Sequence, residues 1–217
     1  MRYPCSGTTV SYHRIGGIRS SGTAVHPHKN IQLPAADLDL IKEKLLKTGF
    51  KENAFIEEHD TYFDNEQGDI RANGEALRVR ETKDNLTGKS RAQINFKGKK
   101  LDAHTMTREE LETGVENGAV CRKILQAIGY MPAEPEVIKD RTMLQKESVT
   151  ACLDDVHGLG RFLELEILAD SEEKKDAALG KIEDILNSLG YQISDTVRTS
   201  YLSMLQNRKK DRHGTQW

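Results

Sequence analysis

The chain has few cysteines and no long apolar run, and both absences narrow the class of protein. Only Cys5, Cys121 and Cys152 occur among its 217 residues. An odd number of widely spaced cysteines argues against a disulfide framework and against a CxxC-type zinc site. No apolar stretch approaches the roughly 20 residues that cross a bilayer, and the N-terminus lacks the apolar centre of a signal peptide. We therefore expect a cytoplasmic protein with no membrane partner.

Neither sign of charge is in clear excess over the whole chain, and acidic residues are missing from its start. The 32 Lys and Arg residues nearly balance 34 Asp and Glu, so no net field attracts nucleic acid, and we expect no nucleic-acid partner. Residues 1–30 contain no acidic residue and show no periodicity. We therefore expect an atypical, disordered segment at 1–30, a single domain over 31–206, and a polar C-terminal tail at 207–217.

Three segments end in the same way, with a glycine followed by an aromatic residue: LIKEKLLKTGF, CRKILQAIGY and IEDILNSLGY. Apolar residues recur in each at helical spacing. The three apolar faces are Leu38, Ile41 and Leu45; Val120, Ile124 and Ile128; and Ala178, Ile182, Ile185 and Leu189. Gly49, Gly129 and Gly190 stand where a left-handed residue ends a helix. A fourth, shorter helix is expected in TSYLSMLQNR.

The other segments alternate between polar and apolar residues, which is typical of strands. They are 25–33, 60–64, 75–82, 91–97, 105–112, 136–146, 148–155 and 161–168. Eight strands in hairpin-like order, with few helices between them, predict an α+β fold. The expected architecture is a closed eight-stranded antiparallel β tunnel, or barrel, with helices packed outside.

The polar faces of these strands repeatedly carry basic residues in pairs. Arg78 and Arg80 alternate with Leu77 and Val79, and Lys139 and Arg141 repeat the pattern. The strand at 91–97 carries Lys97 on its polar face, and the strand at 105–112 carries Arg108, Glu110 and Glu112. We expect the apolar faces, which include Leu77, Val79, Ile94 and Leu165, to contact helices. The charges on the opposite faces then line the interior of the barrel.

Cations in such an interior need a partner, because an isolated buried charge costs several kcal/mol. A triphosphate carries about four negative charges and suits bidentate arginine. Carboxylates beside it need a hard divalent cation, and Glu164 and Glu166, two apart on one strand, suit Mg²⁺ or Mn²⁺. Any one strand alone is more often a solvated sheet face. Five together favour a site for a nucleoside triphosphate or inorganic polyphosphate.

Six ordered motifs resemble a known family. They are HDTYFDNEQGDIRANGEALRVRE, INFKG, TREELE, VIKDR, LDDVHGLGRFLELEI and TSYLSML. Together they resemble the CYTH superfamily of triphosphate tunnel metalloenzymes, most closely its class IV adenylyl cyclases, over roughly residues 31 to 206. The resemblance implies an eight-stranded tunnel, Mg²⁺ or Mn²⁺, and triphosphate substrates.

The same resemblance implies roles for individual residues. Those implied to hold the triphosphate are Arg78, Arg80, Lys97, Arg108, Lys139 and Arg141. Those implied to surround the metal are Glu110, Glu112, Asp154, Glu164 and Glu166. No catalytic residue is assigned, and a homodimer is left open.

The first strand departs from the family pattern, ExExK. The matching positions are His26, His28 and Asn30, which suggests a diverged or frame-shifted start. The two histidines could instead bind Zn²⁺ or Ni²⁺, although Pro27 between them cannot donate to a sheet.

Three functions remain open. The leading one is conversion of ATP to cyclic AMP and pyrophosphate, with an activity that loss of the ExExK strand would impair. The second is a tripolyphosphatase or thiamine triphosphatase, in which water replaces the ribose oxygen. The third is triphosphate binding without turnover.

Overall fold

The computed structural model describes residues 28–100, 108–168 and 173–213, and its centre is one eight-stranded antiparallel sheet. The strand order is β1-β8-β7-β6-β2-β3-β4-β5. The strands are β1 (His28–Pro34), β2 (Lys51–Asn65), β3 (Ala76–Asp84), β4 (Ser90–Lys100), β5 (Arg108–Val115), β6 (Tyr130–Lys146), β7 (Val149–Val156) and β8 (Gly160–Leu168). The predicted α+β class and antiparallel sheet are confirmed.

Five α-helices and one short 3-10 turn accompany the sheet within the described ranges. They are α1 (Leu38–Lys47), α2 (Asp69–Ala72), α3 (Gly118–Ala127), α4 (Glu173–Leu189), the turn Ile193–Asp195, and α5 (Tyr201–His213). Residues 207–213, which the sequence analysis assigned to a polar tail, are therefore helical. No helix in the described part of the chain is long and apolar enough to span a membrane.

The main core lies between the sheet and helices α1 and α4. Ile41 and Leu45 of α1 and Ile182 and Leu186 of α4 pack with buried residues of β1, β7 and β8. Leu165 of β8 belongs to this core. Because side chains alternate along a strand, the opposite parity, which includes Glu164 and Glu166, faces away from the helices.

A second, smaller core joins α3 to the other half of the sheet. Leu125 packs with Phe63 and Val79, while Leu77 and Ile94 lie against the same cluster. The expectation that Leu77, Val79, Ile94 and Leu165 face helices is thus confirmed.

The apolar face expected for α3 does not pack against the described sheet. Val120, Ile124 and Ile128 share a face but are 50%, 56% and 64% exposed, whereas Leu125 is 7% exposed. The helix instead contacts the sheet through Leu125 and Cys121. Apolar spacing alone identified the helix and selected the wrong face.

The prediction that three helices end at a left-handed glycine is confirmed. Gly49, Gly129 and Gly190 have φ of 94°, 96° and 91°. After Gly49, the amide of Phe50 donates to Leu45 O at 3.1 Å, and after Gly190 the amide of Tyr191 donates to Leu186 O at 2.9 Å. Both contacts belong to the Schellman motif, which ends a helix at a left-handed residue.

The two edge strands of the described sheet, β1 and β5, are not hydrogen-bonded to each other. Closure of the sheet into a tunnel therefore stays a prediction. We call the surface that carries Arg78, Arg80, Lys139, Arg141 and Glu164 the inner face. The surface that contacts α1, α3 and α4 is the outer face.

Candidate functional site

At the centre of the inner face, β2 supplies a buried carboxylate to two arginines of β3. Arg80 donates from Nε to Asp60 Oδ1 and from Nη2 to Asp60 Oδ2, both at 2.6 Å. Arg78 donates from Nη1 to Asp60 Oδ2 at 3.2 Å. The strand register brings these residues together, since Asp60 lies opposite Arg80, and Tyr62 opposite Arg78. A bidentate pair of this kind fixes the plane of the guanidinium.

A second carboxylate of β2, Glu58, connects the β3 arginine to β6. Arg80 Nη1 donates to Glu58 Oε1 at 2.8 Å. Lys139 Nζ lies 3.0 Å from Glu58 Oε2, and Arg141 Nε lies 4.0 Å from the same oxygen. Glu58 therefore lies among three cations and links the two halves of the inner face.

The third carboxylate, Asp154 of β7, is held by Arg141. Arg141 donates from Nε to Asp154 Oδ1 and from Nη2 to Asp154 Oδ2, both at 2.6 Å. The same Nη2 donates to Glu164 Oε2 of β8. Tyr201 of α5 adds a hydroxyl donor to Asp154 Oδ2 at 2.9 Å. We call this group the inner cluster: Arg78, Arg80, Lys139 and Arg141 with Glu58, Asp60 and Asp154.

Burial and charge oppose each other in the inner cluster, and charge prevails. Burial alone would raise the pKa of Asp60, but Arg80 and Arg78 hold the pKa of that carboxyl at about 2. Burial likewise disfavours the Glu58 anion, yet Arg80, Lys139 and Arg141 hold its pKa well below the usual range. Both carboxylates are therefore ionised near neutral pH, and each consumes positive charge that a ligand could otherwise use.

A separate pair of contacts lies on the β4 and β5 side of the inner face. Lys97 Nζ donates to Glu110 Oε1 at 3.0 Å, and Asn95 Nδ2 donates to Glu112 Oε2 at 3.1 Å. These residues are register partners. Arg108 lies on the same strand as Glu110 and shares its parity, and Glu166 lies opposite Asn30 of β1.

The inner face also carries buried polar atoms without a hydrogen-bond partner among the described residues. They include Gln32 Nε2, Arg78 Nε, Thr82 Oγ1 and Asn95 Oδ1. Asn95 is only 2% exposed. Buried polar groups are almost always paired, so a concentration of orphaned donors and acceptors on one face favours a polar ligand there.

The structure groups the predicted site residues unequally. Arg78, Arg80, Lys139, Arg141, Asp154 and Glu164 belong to one connected network, while Lys97, Glu110 and Glu112 form separate contacts. Glu58, Asp60 and Tyr201 were not among the predicted site residues. The spacing of two between Glu58 and Asp60 was a usable signal, since it places both carboxylates on one face of a strand. Glu58 was missed because the expected strand began at residue 60, and Asp60 lay inside that strand but was given no role. Of the strand expected at 105–112, residues 105–107 lie outside the described residues, as do residues 25–27 of the strand expected at 25–33.

The carboxylates of the inner face can be tested for fit to a divalent cation. Within the described ranges, no three His, Cys, Asp or Glu side chains cluster closely enough to hold a metal by themselves. Mg²⁺ and Mn²⁺ are commonly bound through one or two carboxylates plus phosphate oxygens. Glu164 and Glu166 share the inner face, are only partly buried, and offer hard oxygen ligands. The residues therefore fit a metal that is completed by its substrate.

The antiparallel sheet therefore presents cations and carboxylates together on one face. The CYTH domain family matches residues 30–201, and the chain belongs to this family. The family implies dependence on a divalent metal, without specifying the ion.

Individual relatives agree with that assignment. The chain is 34% identical over 177 residues to a protein of Methanocaldococcus jannaschii named "Putative adenylate cyclase", covering 80% of this chain and 95% of that one. A solved structure from Pyrococcus horikoshii is 30% identical, with a TM-score of 0.72, covering 83% of this chain and 99% of that one. A Hippeastrum protein, described as a "putative adenylyl cyclase" with a dominant triphosphatase activity, shares the fold. Its TM-score is 0.60 at 17% identity, with 84% and 96% of the two chains covered.

Proposed function

We propose that the chain binds a nucleoside triphosphate on its inner face together with Mg²⁺ or Mn²⁺, and converts ATP to cyclic AMP and pyrophosphate. The observation that carries the proposal is the inner cluster, in which four cations from β3 and β6 meet on one partly enclosed surface. Membership of a family that binds triphosphates supports the same ligand.

The inner cluster by itself cannot neutralise the charge of a triphosphate. Its four cations face three carboxylates, and Arg141 also contacts Glu164, so the positive and negative charges of these side chains balance. A triphosphate brings about four negative charges. Lys97 and Arg108 on the other side of the inner face, together with a divalent cation, would offset the negative charge of the triphosphate. Binding should therefore depend on metal.

Glu164 and Glu166, with Glu110 and Glu112 as a second pair, are the residues that would hold the cation. When bound, the metal would neutralise phosphate charge and polarise the oxygens that it contacts. We further propose that the sheet closes around the ligand with β1 beside β5. Closure would bring Lys97 and Glu110 to the same interior as Glu164.

In the cyclase reaction, the ribose 3′ oxygen attacks the α-phosphorus and loses its proton. The bond from that phosphorus to the bridging oxygen breaks, and pyrophosphate leaves. The contribution of the chain is to align the phosphates with arginines whose planes are already fixed, because positioning and charge neutralisation dominate such transfers. The name of the Methanocaldococcus relative supports this reaction.

Hydrolysis is the second candidate function. The same inner face would hold tripolyphosphate or thiamine triphosphate while water replaces the ribose oxygen, and the activity reported for the Hippeastrum protein favours it. A third candidate, binding without turnover, is favoured by His26, His28 and Asn30 at the positions of the ExExK motif.

Product analysis separates the three functions. Full-length protein is incubated with ATP and, separately, tripolyphosphate, with Mn²⁺ or with chelator, and products are resolved by chromatography. Cyclic AMP with equimolar pyrophosphate is the expected result. Orthophosphate release with no cyclic nucleotide would contradict the cyclase and select the hydrolase. Metal-dependent binding without product would select the third candidate.

A further inference from the structure

The C-terminal helix α5 reaches the inner face, and one of its residues contacts the inner cluster directly. Tyr201, the first residue of α5, donates its hydroxyl to Asp154 Oδ2 at 2.9 Å. Lys139 Nζ lies 5.4 Å from the centre of the same ring.

We propose that Tyr201 and Asp154 form a positioning pair that orients Arg141 and Lys139 toward the triphosphate, and that Asp154 is not a metal ligand. The inference rests on the proposed function, and it revises the role that family resemblance implies for Asp154. It also makes α5 a component of the binding site.

The surroundings of Asp154 argue against a metal role. The residue is 0% exposed. Its two oxygens accept two hydrogen bonds from Arg141 and one from Tyr201. A carboxylate has about four acceptor positions, so protein donors already fill most of them. A cation at Asp154 would have to displace one of these donors inside a fully buried site, whereas Glu164 is only partly buried.

The Tyr201 hydroxyl is suited to act as a permanent donor. Burial, and then the charge of Asp154, raise the pKa of Tyr201 far above its usual range, so the phenol keeps its proton at any working pH. Asp154 Oδ2 shares this donor with Arg141 Nη2. The hydroxyl therefore fixes the carboxylate that in turn fixes the guanidinium plane.

Helix α5 is held firmly enough to carry this role. Tyr201 and Leu205 pack with Val137, Val156 and Phe162 in a separate apolar cluster. Gln206 Nε2 donates to Glu134 O at 2.9 Å, and Arg208 Nη1 donates to Gly158 O at 2.7 Å. The strand residues of this cluster share the parity of Lys139, Asp154 and Glu164. The helix thus packs on the inner face, beside the cations.

The test compares two affinities in the full chain, because a purely structural role would change both or neither. Titration calorimetry gives the affinity for inorganic tripolyphosphate at saturating Mn²⁺. A second titration gives the Mn²⁺ concentration that half-saturates the protein at saturating tripolyphosphate. Tyr201→Phe keeps the ring and its packing and removes only the hydroxyl. Tyr191→Phe, which packs against the outer core, is the matched control.

Tyr201→Phe should weaken tripolyphosphate binding about tenfold, since it removes a hydrogen bond to a charged group. The Mn²⁺ half-saturation should stay within about twofold. Asp154→Asn should follow the same pattern with a larger loss, whereas Glu164→Gln with Glu166→Gln should raise the Mn²⁺ requirement. Circular dichroism and urea unfolding identify any variant that fails to fold, and Tyr201→Phe remains decisive if Asp154→Asn does so.

The outcomes are distinguishable. If the unmodified chain binds tripolyphosphate and Tyr201→Phe binds it equally well, the positioning pair is wrong while the proposed function stands. If either variant raises the Mn²⁺ requirement as strongly as the Glu164 and Glu166 changes do, Asp154 belongs to the metal site and the inference is overturned. If the unmodified chain binds no tripolyphosphate, the proposed function fails and the inference fails with it.

Discussion

At the scale of single residues, Glu58 and Asp60 explain how four cations coexist on a largely buried surface. Each carboxylate contacts at least two cations at 4 Å or less. Removing one partner of such a pair leaves an uncompensated charge, which is far more costly than losing an exposed pair. We therefore expect these two residues to matter for stability as well as for the ligand.

Asp60→Asn should destabilise the fold by about 3 kcal/mol at pH 7, because Arg80 and Arg78 lose their shared anion. The cost should shrink at acid pH. The pKa of Asp60 in the folded chain, about 2, lies below its ordinary value of 3.8. Its stabilising contribution is therefore complete above about pH 4 and is lost as pH falls through about 2. Urea unfolding at pH 7, 4 and 2.5 measures both effects.

The matched control for this prediction is Asp155→Asn. Asp155 is the neighbour of Asp154 in the chain, yet it pairs with Arg161 at 3.6 Å on the exposed side, with both side chains 52% exposed. Such pairs contribute about 0 to 1 kcal/mol. Equal losses from Asp60→Asn and Asp155→Asn would contradict the account of the inner cluster.

The residue scale is also where prediction from sequence was least complete. Alternation along β3 and β6 predicted that the basic pairs share a face, because strand parity is a local property. Which carboxylate meets which arginine depends on the register between β2, β3 and β6, which no short segment encodes. Tyr201 could not be selected, because its contact with Asp154 depends on where α5 docks.

At the scale of elements, β1 connects the site to the atypical start of the chain. It pairs with β8 so that Asn30 lies opposite Glu166 and Gln32 opposite Glu164. Position 30 therefore has the parity of the inner face, in agreement with its alignment to the lysine of ExExK. The strand begins at His28, and His26 lies outside the described residues.

Restoring this strand should raise turnover by orders of magnitude. The changes are His26→Glu, His28→Glu and Asn30→Lys, with Pro27→Val to restore a backbone donor. They would add two hard oxygen ligands and one cation, and a single well-placed electrostatic contact can be worth about 10²–10³ in rate. Initial rates with ATP and with tripolyphosphate at saturating Mn²⁺ give the result.

Lys29→Glu is the control for the restored strand, since position 29 has the opposite parity and lies across from Ile167. It adds a carboxylate to the same element without directing it to the inner face. If the unmodified chain is already fully active and gains nothing from the restored set, the interpretation of β1 is wrong.

The helices show what local sequence can and cannot predict. Helix ends were predicted because a left-handed glycine is a local requirement, and Gly49, Gly129 and Gly190 satisfy it. The predicted packing face of α3 was wrong because an apolar stripe alone does not determine which element packs against it. Helix α3 packs instead through Cys121 and Leu125, which contact the cluster that contains Leu77 and Val79 of β3.

At the scale of the whole molecule, the antiparallel sheet of eight strands followed from their number and from the short connections between them. Its order did not, because β2 pairs with β6 and β1 with β8 across long stretches of chain. Closure into a tunnel joins the two edges, β1 and β5, and so depends on the global curvature of the sheet. It remains a prediction together with the ligand that it would enclose.

The central claim is that the inner face binds a triphosphate with a divalent cation. Titration calorimetry of tripolyphosphate into the full chain, with Mn²⁺ and with chelator, tests it most directly. We predict one tripolyphosphate per chain, binding that requires Mn²⁺, and a loss of at least about tenfold in affinity for Arg141→Gln but not for the exposed Arg161→Gln. No binding at millimolar tripolyphosphate, or equal losses from the two arginine changes, would contradict the account.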